Sequence, residues 1–194
     1  MNLLLRYAQV SHSGNIYRDY YQSGLGLAYR PLSDKGIKHA KQYRLPFKPV
    51  RIVTADTNAC TETGEIFAGK FGVGAETDSS LLNIRHDLSK LITPREFAAN
   101  SGLEQLRRNF IRDLYADELS ESKAVILSRM SALQSLLASG DKLLGITHGL
   151  TLVVFKLYLQ EGIKQLPGIN SCRLIDYNKP FYGPLLGYSY PGLV

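Results

Sequence analysis

Asn2-Leu-Leu-Leu-Arg6-Tyr7-Ala-Gln9, at the start of the chain, gives the strongest indication of the fold. Its three consecutive leucines, followed by charged and polar residues, predict a short buried strand that opens into a polar loop at residues 10–15. Gly14 supplies the backbone freedom for a turn in that loop. Open α/β sheets place ligands where a strand ends in such a loop. The stretch therefore predicts both a sheet and the edge of that sheet that carries a site.

The segments that follow alternate between helix and strand. The predicted elements are a helix that begins at Ser33 and Asp34, a strand at 50–54, a helix at 57–71 and a strand at 75–78. This alternation favours a parallel sheet flanked by helices. We expect one domain over residues 1–194, an α/β fold built as a three-layer α/β/α sandwich with a mostly parallel central sheet.

The second half of the chain predicts a helical insertion and then a return to the sheet. The predicted elements are helices at 94–100, 103–116 and 122–138, a strand at 142–147, a helix at 150–161, a strand at 172–177 and an edge strand at 185–190. Within the third of these helices, a core-facing stripe is formed by Ile126, Met130, Leu133 and Leu137. Residues 17–31 show no clean periodicity and predict an irregular loop.

The net charge of +6 favours anionic partners in general, because it raises their local concentration. Lysine and arginine are scattered along the chain. The densest groups are Lys35, Lys38 and Lys41, and Arg107, Arg108 and Arg112. No basic run interleaved with aromatic residues predicts a stacking platform for bases. We therefore expect a basic solvated surface, and the pattern disfavours nucleic acid as a partner.

Cysteine usage and the N-terminus narrow the class of protein. Cys60 and Cys172 lie far apart and belong to no CxxC or Cys/His cluster, so the sequence indicates neither a zinc site nor a disulfide framework. We expect no metal and no cofactor. The three apolar residues before Arg6 are too few for a signal-peptide core or a membrane span. We expect a cytoplasmic protein with no membrane partner.

Arg6 and His148 stand at the ends of two predicted strands, each running into a loop. In a parallel sheet both strand ends can lie at one edge, where the two side chains would converge on a crevice. Arginine binds phosphate oxygens bidentately, and histidine donates a hydrogen bond or a proton near neutral pH. A surface arginine and a structural histidine would give the same pattern, so spacing alone leaves both interpretations open.

Five segments carry a resemblance to a known family. They are Leu3 to Gln9, Pro31-Leu-Ser-Asp-Lys-Gly-Ile-Lys-His-Ala40, Ile52-Val-Thr-Ala-Asp-Thr-Asn-Ala-Cys-Thr-Glu-Thr-Gly-Glu65, Leu144-Gly-Ile-Thr-His-Gly149 and Ile169-Asn-Ser-Cys172. In this order they resemble the Arg-His-Gly/Ala strand, the Leu-Thr-x-x-Gly segment, the Ser-Ser-Pro-x-x-Arg segment, the Val-x-His-Gly turn and the closing strand of the histidine phosphatase (phosphoglycerate mutase-like) superfamily. The chain resembles a divergent member of it.

The resemblance implies roles for five positions. Arg6 falls on the first phosphate-binding arginine and His148 on the second histidine, so both keep a phosphate contact. Tyr7 falls on the phosphate-accepting histidine, which is the nucleophile. Ala59 falls on the second arginine of the pocket, and Asn83 falls near the acidic proton donor. Three of the five core groups are therefore replaced.

The replacements predict a severe loss of catalysis. Neutral imidazole attacks phosphorus at pH 7 and gives a labile phosphoramidate, whereas tyrosine, with a reference pKa of about 10, stays protonated and would form a slowly discharged ester. Loss of a preorganised donor such as the second arginine costs on the order of 3 kcal/mol of transition-state stabilisation.

Other polar residues are candidates for parts of the lost machinery. Ser11, Ser13 and Asn15 are expected to donate hydrogen bonds from the loop to a phosphate. His12, in the same loop, is a candidate for a relocated nucleophile or acid, and His86 is a candidate proton donor near the missing acid. A solvated loop histidine and a surface histidine are the structural alternatives.

Three hypotheses follow. The first is a catalytically impaired phosphatase-like protein that binds a phosphorylated small molecule or a phosphoprotein. The second is an active phosphomonoesterase with a rearranged site in which His148, His12 or His86 takes over roles. The third is an interaction protein with a vestigial pocket, whose basic, tyrosine-rich surface at residues 17–29 contacts a partner or nucleic acid.

Overall fold

The opening leucines form strand β1 (Asn2–Arg6) inside the sheet of the computed structural model, which describes residues 2–11, 17, 29–99, 102–138, 142–161 and 187–190. The other strands of these residues are β2 (Arg51–Thr54), β3 (Ala75–Thr77), β4 (Leu143–Thr147) and β5 (Gly187–Tyr190). Their order in the sheet is β3-β2-β4-β1-β5. The first four strands are parallel, and β5 pairs with β1 in the antiparallel direction. The predicted mostly parallel sheet is confirmed.

Helices cover both faces of this sheet. They are α1 (Asp34–Gln42), α2 (Asn58–Phe71), α3 (Leu88–Leu91), α4 (Pro94–Ala98), α5 (Gly102–Ala116), α6 (Lys123–Leu137) and α7 (Gly149–Glu161), with a 3-10 helix at Ser79–Leu81. Helix α1 packs on α2, and α6 packs on α7. These pairs form the outer layers of the predicted α/β/α sandwich, and α3 to α5 form the helical insertion.

The core lies where the apolar strands meet the helices. Every residue of β4 is buried. Every residue of β1 is buried as well, except Arg6, which is half-buried. Runs buried on both faces are typical of parallel strands. Asn2 ties the starting ends of the strands together, because its Oδ1 accepts the Leu143 N–H at 2.8 Å and its Nδ2 donates to the Leu137 carbonyl. The pairing of β1 with β4 is thus fixed at its first residue.

The structure agrees with most predicted elements and corrects some of their ends. The stripe at Ile126, Met130, Leu133 and Leu137 is buried as predicted. The first strand ends at Arg6 and not near residue 9, because the chain leaves the sheet to meet α1. Helix α3 and the 3-10 helix were not predicted, since elements of three or four residues show no periodicity. The strand predicted at 172–177 and most of the loop at 17–31 lie outside the described residues.

Helix α1 is fixed directly to the chain that follows β1. Ser33 donates to the Gln9 carbonyl from its backbone N–H at 2.9 Å and from its hydroxyl at 3.1 Å, and the same hydroxyl caps the helix by accepting the Gly36 N–H. A Cβ at Gly36 would lie 2.0 Å from the Gln9 oxygen. The close approach therefore requires glycine, and it holds the segment after Arg6 in place.

We expect Gly36→Ala to lower the free energy of unfolding by about 1–3 kcal/mol, the usual cost of forcing atoms into a packed contact. Gly69→Ala on α2 is the matched control, because a Cβ there meets no atom within 4 Å. Its better helix propensity should leave stability unchanged or raise it by up to about 1 kcal/mol. Urea denaturation of both variants checks this. Equal stability of the two variants would show that the contact with Gln9 is not tight.

Candidate active site

The carboxyl ends of β1 and β4 bring the principal predicted residues together. The two strands are neighbours, with Arg6 paired opposite Thr147. Tyr7 follows β1 and donates its backbone N–H to the Thr147 carbonyl at 3.1 Å, while His148 follows β4. The two strand ends lie at one edge of the sheet, as predicted, and Tyr7 contacts both Arg6 and His148.

Tyr7 packs directly on the site histidine. Its ring meets the His148 ring edge-on, with centroids 5.6 Å apart and planes at 70°. The guanidinium carbon of Arg6 lies 5.2 Å from the Tyr7 ring centroid, within the range of a cation–π contact. Tyr7 is 7% exposed and His148 is 2% exposed. The phenol ring therefore fills space beside the histidine instead of leaving that side open.

The Nε2 atom of His148 faces the first turn of α2. It lies 3.5 Å from Thr57 Oγ1 and 3.7 Å from Cys60 Sγ. Thr57 holds the N-cap position of α2, but its hydroxyl makes no capping hydrogen bond. Burial raises the pKa of the Cys60 thiol to about 12, although the hydrogen bond with Thr57 and the charge of Arg6 act in the opposite direction. Cys60 is therefore a protonated packing residue at neutral pH.

His148 is a neutral imidazole at physiological pH. Burial, followed by the positive charges of Arg6 and Arg129, lowers its pKa to about 3. A neutral ring can donate one N–H to a phosphate oxygen, but it cannot bring a second proton as an imidazolium would. His148 is thus suited to contact a phosphate as a neutral hydrogen-bond donor and not to protonate a leaving group.

Ala59 lies in the interior of the α2 packing face and is fully buried. Its carbonyl accepts the Thr63 hydroxyl at 2.6 Å, and the Thr63 oxygen accepts the Ala8 N–H at 3.0 Å. This link fastens α2 to the chain just after Tyr7. The structure therefore has a methyl group and a helix-to-strand contact at the position where the resemblance implies a second phosphate-binding arginine.

Asn83 follows a segment that is tied to the site edge. The Thr147 hydroxyl donates to the Leu81 carbonyl at 2.5 Å, and the Thr151 hydroxyl donates to the Leu82 carbonyl at 2.9 Å. Asn83 is buried, and its carbonyl accepts Arg129 Nη1 at 3.2 Å. The segment implied to carry the acid is thus held beside the end of β4.

A buried ion pair supports the same segment. Glu121 is 3.3 Å from Arg129 Nη2 and accepts the Arg85 N–H at 2.9 Å. Burial lowers the pKa of Arg129, while Glu121 acts to raise it. Sequence reasoning missed these three residues because they are distant in sequence and belong to no motif. The one sequence feature that could have indicated a buried ion pair is Arg129, which stands directly before Met130 of the apolar stripe of α6.

The remaining candidates divide between packing residues and residues outside the described part. His86 is 6% exposed, packs edge-on against Phe110 at 5.4 Å and places Nδ1 2.8 Å from the Ile84 carbonyl. Burial lowers its pKa, so it is an interior ring and not a ready proton donor. His12, Ser13 and Asn15 lie outside the described residues. The catalytic role of His12 and the phosphate contacts of Ser13 and Asn15 therefore stay predictions.

The described ranges contain neither a metal-ligand cluster nor a membrane-spanning helix. There, no three His, Cys, Asp or Glu side chains come close enough together to hold a metal ion. None of the helices in that part of the chain combines the length and apolar character needed to cross a bilayer.

Comparison with known proteins adds to this geometry. No protein-family model matches the chain, and no curated protein matches its sequence. Solved structures do match. A mycobacterial glucosyl-3-phosphoglycerate phosphatase is 18% identical, with a TM-score of 0.57 over 89% of this chain and 82% of that one. Phosphoglycerate mutase from Bacillus anthracis is 14% identical, with a TM-score of 0.52 over 86% and 82%. A structure described as mycobacterial hydrolase 1 is 17% identical, with a TM-score of 0.54 over 84% and 81%.

These matches extend over most of both chains and establish the fold. The chain has the α/β fold of phosphoglycerate mutase and of phosphatases related to it in structure. At this identity the likeness concerns the fold, and the chemistry has to be argued from the site.

The neutral state of His148 predicts a dependence of stability on pH. Its pKa is lower in the folded chain than the ordinary value of about 6.5, so the unfolded chain takes up the proton first as the pH falls. The free energy of unfolding should therefore decrease below pH 6.5, by up to about 1.4 kcal/mol per pH unit from this group.

Urea denaturation at about pH 7 and about pH 5 measures this decrease. In His148→Gln the decrease should be smaller than in the wild type. His39→Gln, at a half-exposed position on α1, serves as the matched control and should keep the wild-type decrease. An unchanged decrease in His148→Gln would show that His148 is charged in the folded chain.

Proposed function

We propose that this chain is a catalytically impaired phosphatase-like protein that keeps part of a phosphate-binding pocket and holds a phosphorylated small molecule or a phosphoprotein without efficient turnover. The observation that carries the proposal is the contact of Tyr7 with His148 beneath the guanidinium of Arg6. A phenol occupies the nucleophile position, while the cation that would bind the phosphate is still there. Two of the structural neighbours, a glucosyl-3-phosphoglycerate phosphatase and a phosphoglycerate mutase, are named for phosphorylated compounds, which agrees with this class of ligand.

The retained groups suit binding. Arg6 is half-buried at the sheet edge, where its charge is less screened than in open water. Neutral His148 can add one N–H donor. The charge of Arg129 reaches the same region, since it lowers the pKa of His148, but its guanidinium is held by Glu121 and the Asn83 carbonyl. Arg129 thus adds to the positive field without leaving its own partners.

The missing groups are those that turnover needs. Phosphoryl transfer to the protein requires a nucleophile that is active at neutral pH and a proton for the leaving group. Tyr7, Thr57 and Cys60 are described side chains near His148 that carry nucleophilic atoms, and of these the thiol of Cys60 is buried and protonated. The buried His86 does not supply the proton donor. A rearranged active site built from the described residues would have to use Thr57, whose hydroxyl lies 3.5 Å from His148 Nε2, and the test below distinguishes it.

Hydrolysis of p-nitrophenyl phosphate tests the proposal. The wild type should show no turnover above Tyr7→Phe, which keeps the ring and loses the hydroxyl. Tyr7→His restores an imidazole beside Arg6 and His148 and should raise turnover above both. The gain should be partial, because Ala59 and Asn83 remain, and circular dichroism should show that all three proteins are folded.

Two outcomes would contradict the proposal. Wild-type turnover that disappears in His148→Ala and Tyr7→Phe would show a working active site built around Tyr7. Turnover that survives in Tyr7→Phe and disappears in His148→Ala would point to the rearranged enzyme.

A further inference from the structure

The net charge of the chain is concentrated in one segment. Residues 30–51 contain seven of the 23 lysines and arginines and one of the 17 acidic residues. The net charge of this segment is +6, which equals that of the whole chain. The rest of the chain is electrically balanced. The segment comprises the four residues before α1, α1 itself, the loop that leads to β2, and Arg51, the first residue of β2.

The fold places these cations on one exposed surface, which we call the basic face. Its members are exposed and lie on α1 and the loop after it: Lys35, Lys38, Lys41, Arg44 and Lys48. On α1 the lysines follow one another every three residues, whereas Gly36 and Ala40 on the opposite side are buried. Within the described ranges, none of the five side chains forms an ion pair. The one carboxylate of residues 30–51 is Asp34, which lies on α1 beside Lys38 and Lys41, so the basic face keeps a net positive charge.

A further cation borders the basic face. Lys70, near the end of α2, donates from Nζ to the Lys41 carbonyl at 3.2 Å and to the Tyr43 carbonyl at 2.7 Å. These bonds hold its ammonium at the end of α1. The contact also fixes the two helices against each other, so the basic face has a rigid base.

The composition of the basic face selects the kind of anion. Among the described residues the exposed large apolar side chains are Tyr29, Val50 and Val125, and only Val50 belongs to the loop of the basic face. Tyr43, Leu45 and Phe47 are turned in part toward the core. A protein interface needs a buried apolar or aromatic centre, and a peripheral membrane surface needs apolar residues that insert. A single nucleic-acid strand needs aromatic rings for stacking. The face offers little of any of these.

We propose that the basic face binds the phosphate backbone of double-stranded nucleic acid. A duplex presents a dense row of phosphates, and a protein can bind it through cations alone, without base stacking or an apolar anchor. Lysines three residues apart on a helix rise by about 4.5 Å each, so Lys35, Lys38 and Lys41 form a row about 9 Å long. Such a row can contact successive phosphates and carries no sequence preference.

The sequence alone disfavoured nucleic acid as a partner, because it contains no basic run interleaved with aromatic residues. Aromatic residues are needed to stack on the bases of a single strand, whereas a duplex can be bound through its phosphates alone. Lysines that look scattered in the sequence are brought to one side of α1 by the helical period. The proposal does not depend on the phosphate pocket, because the basic face and Arg6 are separate groups.

Fluorescence anisotropy with a short fluorescein-labelled DNA duplex of mixed sequence tests the proposal. Binding should weaken steeply with salt. For three to five neutralised phosphates, the logarithmic slope should be about −3 to −4.5, a loss of roughly a hundredfold between about 50 and 200 mM salt. The double variant Lys38→Gln/Lys41→Gln should bind more than about tenfold more weakly at low salt and reduce the slope by about 2. Glutamine keeps the helix propensity of lysine.

The control is Lys90→Gln/Arg95→Gln, which removes the same charge from exposed positions on α3 and α4. It should bind the duplex as the wild type does. Equal weakening of both double variants would overturn the proposal, since only net charge would matter. The proposal also fails if the wild type does not bind the duplex at low salt, if it binds the corresponding single strand more tightly, or if it prefers anionic vesicles or an acidic peptide.

Discussion

Strand β1 pairs in the parallel direction with β4, and this pairing positions the other elements and the site. It buries the leucines of both strands and, through the register of Arg6 with Thr147, brings their carboxyl ends to one edge. Asn2 fixes that register at the opposite end of the strands. A shift of one residue would exchange the two faces of the strand, so that every buried side chain would have to repack, and it would move Arg6 away from His148. The site is therefore a direct consequence of the sheet.

Within that site, burial accounts for most of the chemistry. His148 is neutral because it is buried and lies near the positive charges of Arg6 and Arg129, and Cys60 is protonated because its burial outweighs the opposing charge of Arg6. The positive field of Arg6 and Arg129 disfavours a second cation, yet it is suited to an anion. Tyr7 completes the arrangement by packing on His148. These features fit the proposed site, which would hold negative charge and lack a group to react with it.

The sequence was informative where a local pattern determines the structure. Three local patterns predicted helices and strands: the consecutive leucines, the Ser33 cap and the apolar stripe of α6. The predicted strand ends placed Arg6 and His148 at one edge of the sheet. It was uninformative where contacts join distant residues. The Glu121–Arg129 pair, the link from Thr63 to Ala8 and the position of Thr57 beside His148 depend on tertiary packing, which has no short-range signature. The basic face shows an intermediate case, since its lysines were visible in the sequence but their shared side needed the helix.

Calorimetric titration with inorganic phosphate tests most directly whether a phosphate pocket is retained. If the phosphate pocket is retained, the wild type should bind phosphate saturably. The variant Arg95→Ala, which removes an exposed arginine on α4, should do the same. In Arg6→Ala the affinity should fall by about tenfold to a hundredfold, the loss of a hydrogen bond to a charged group. Equal phosphate binding by Arg6→Ala and Arg95→Ala would contradict a phosphate pocket that contains Arg6. An absence of binding by the wild type would contradict it as well, and the pocket would then be only a remnant of the fold.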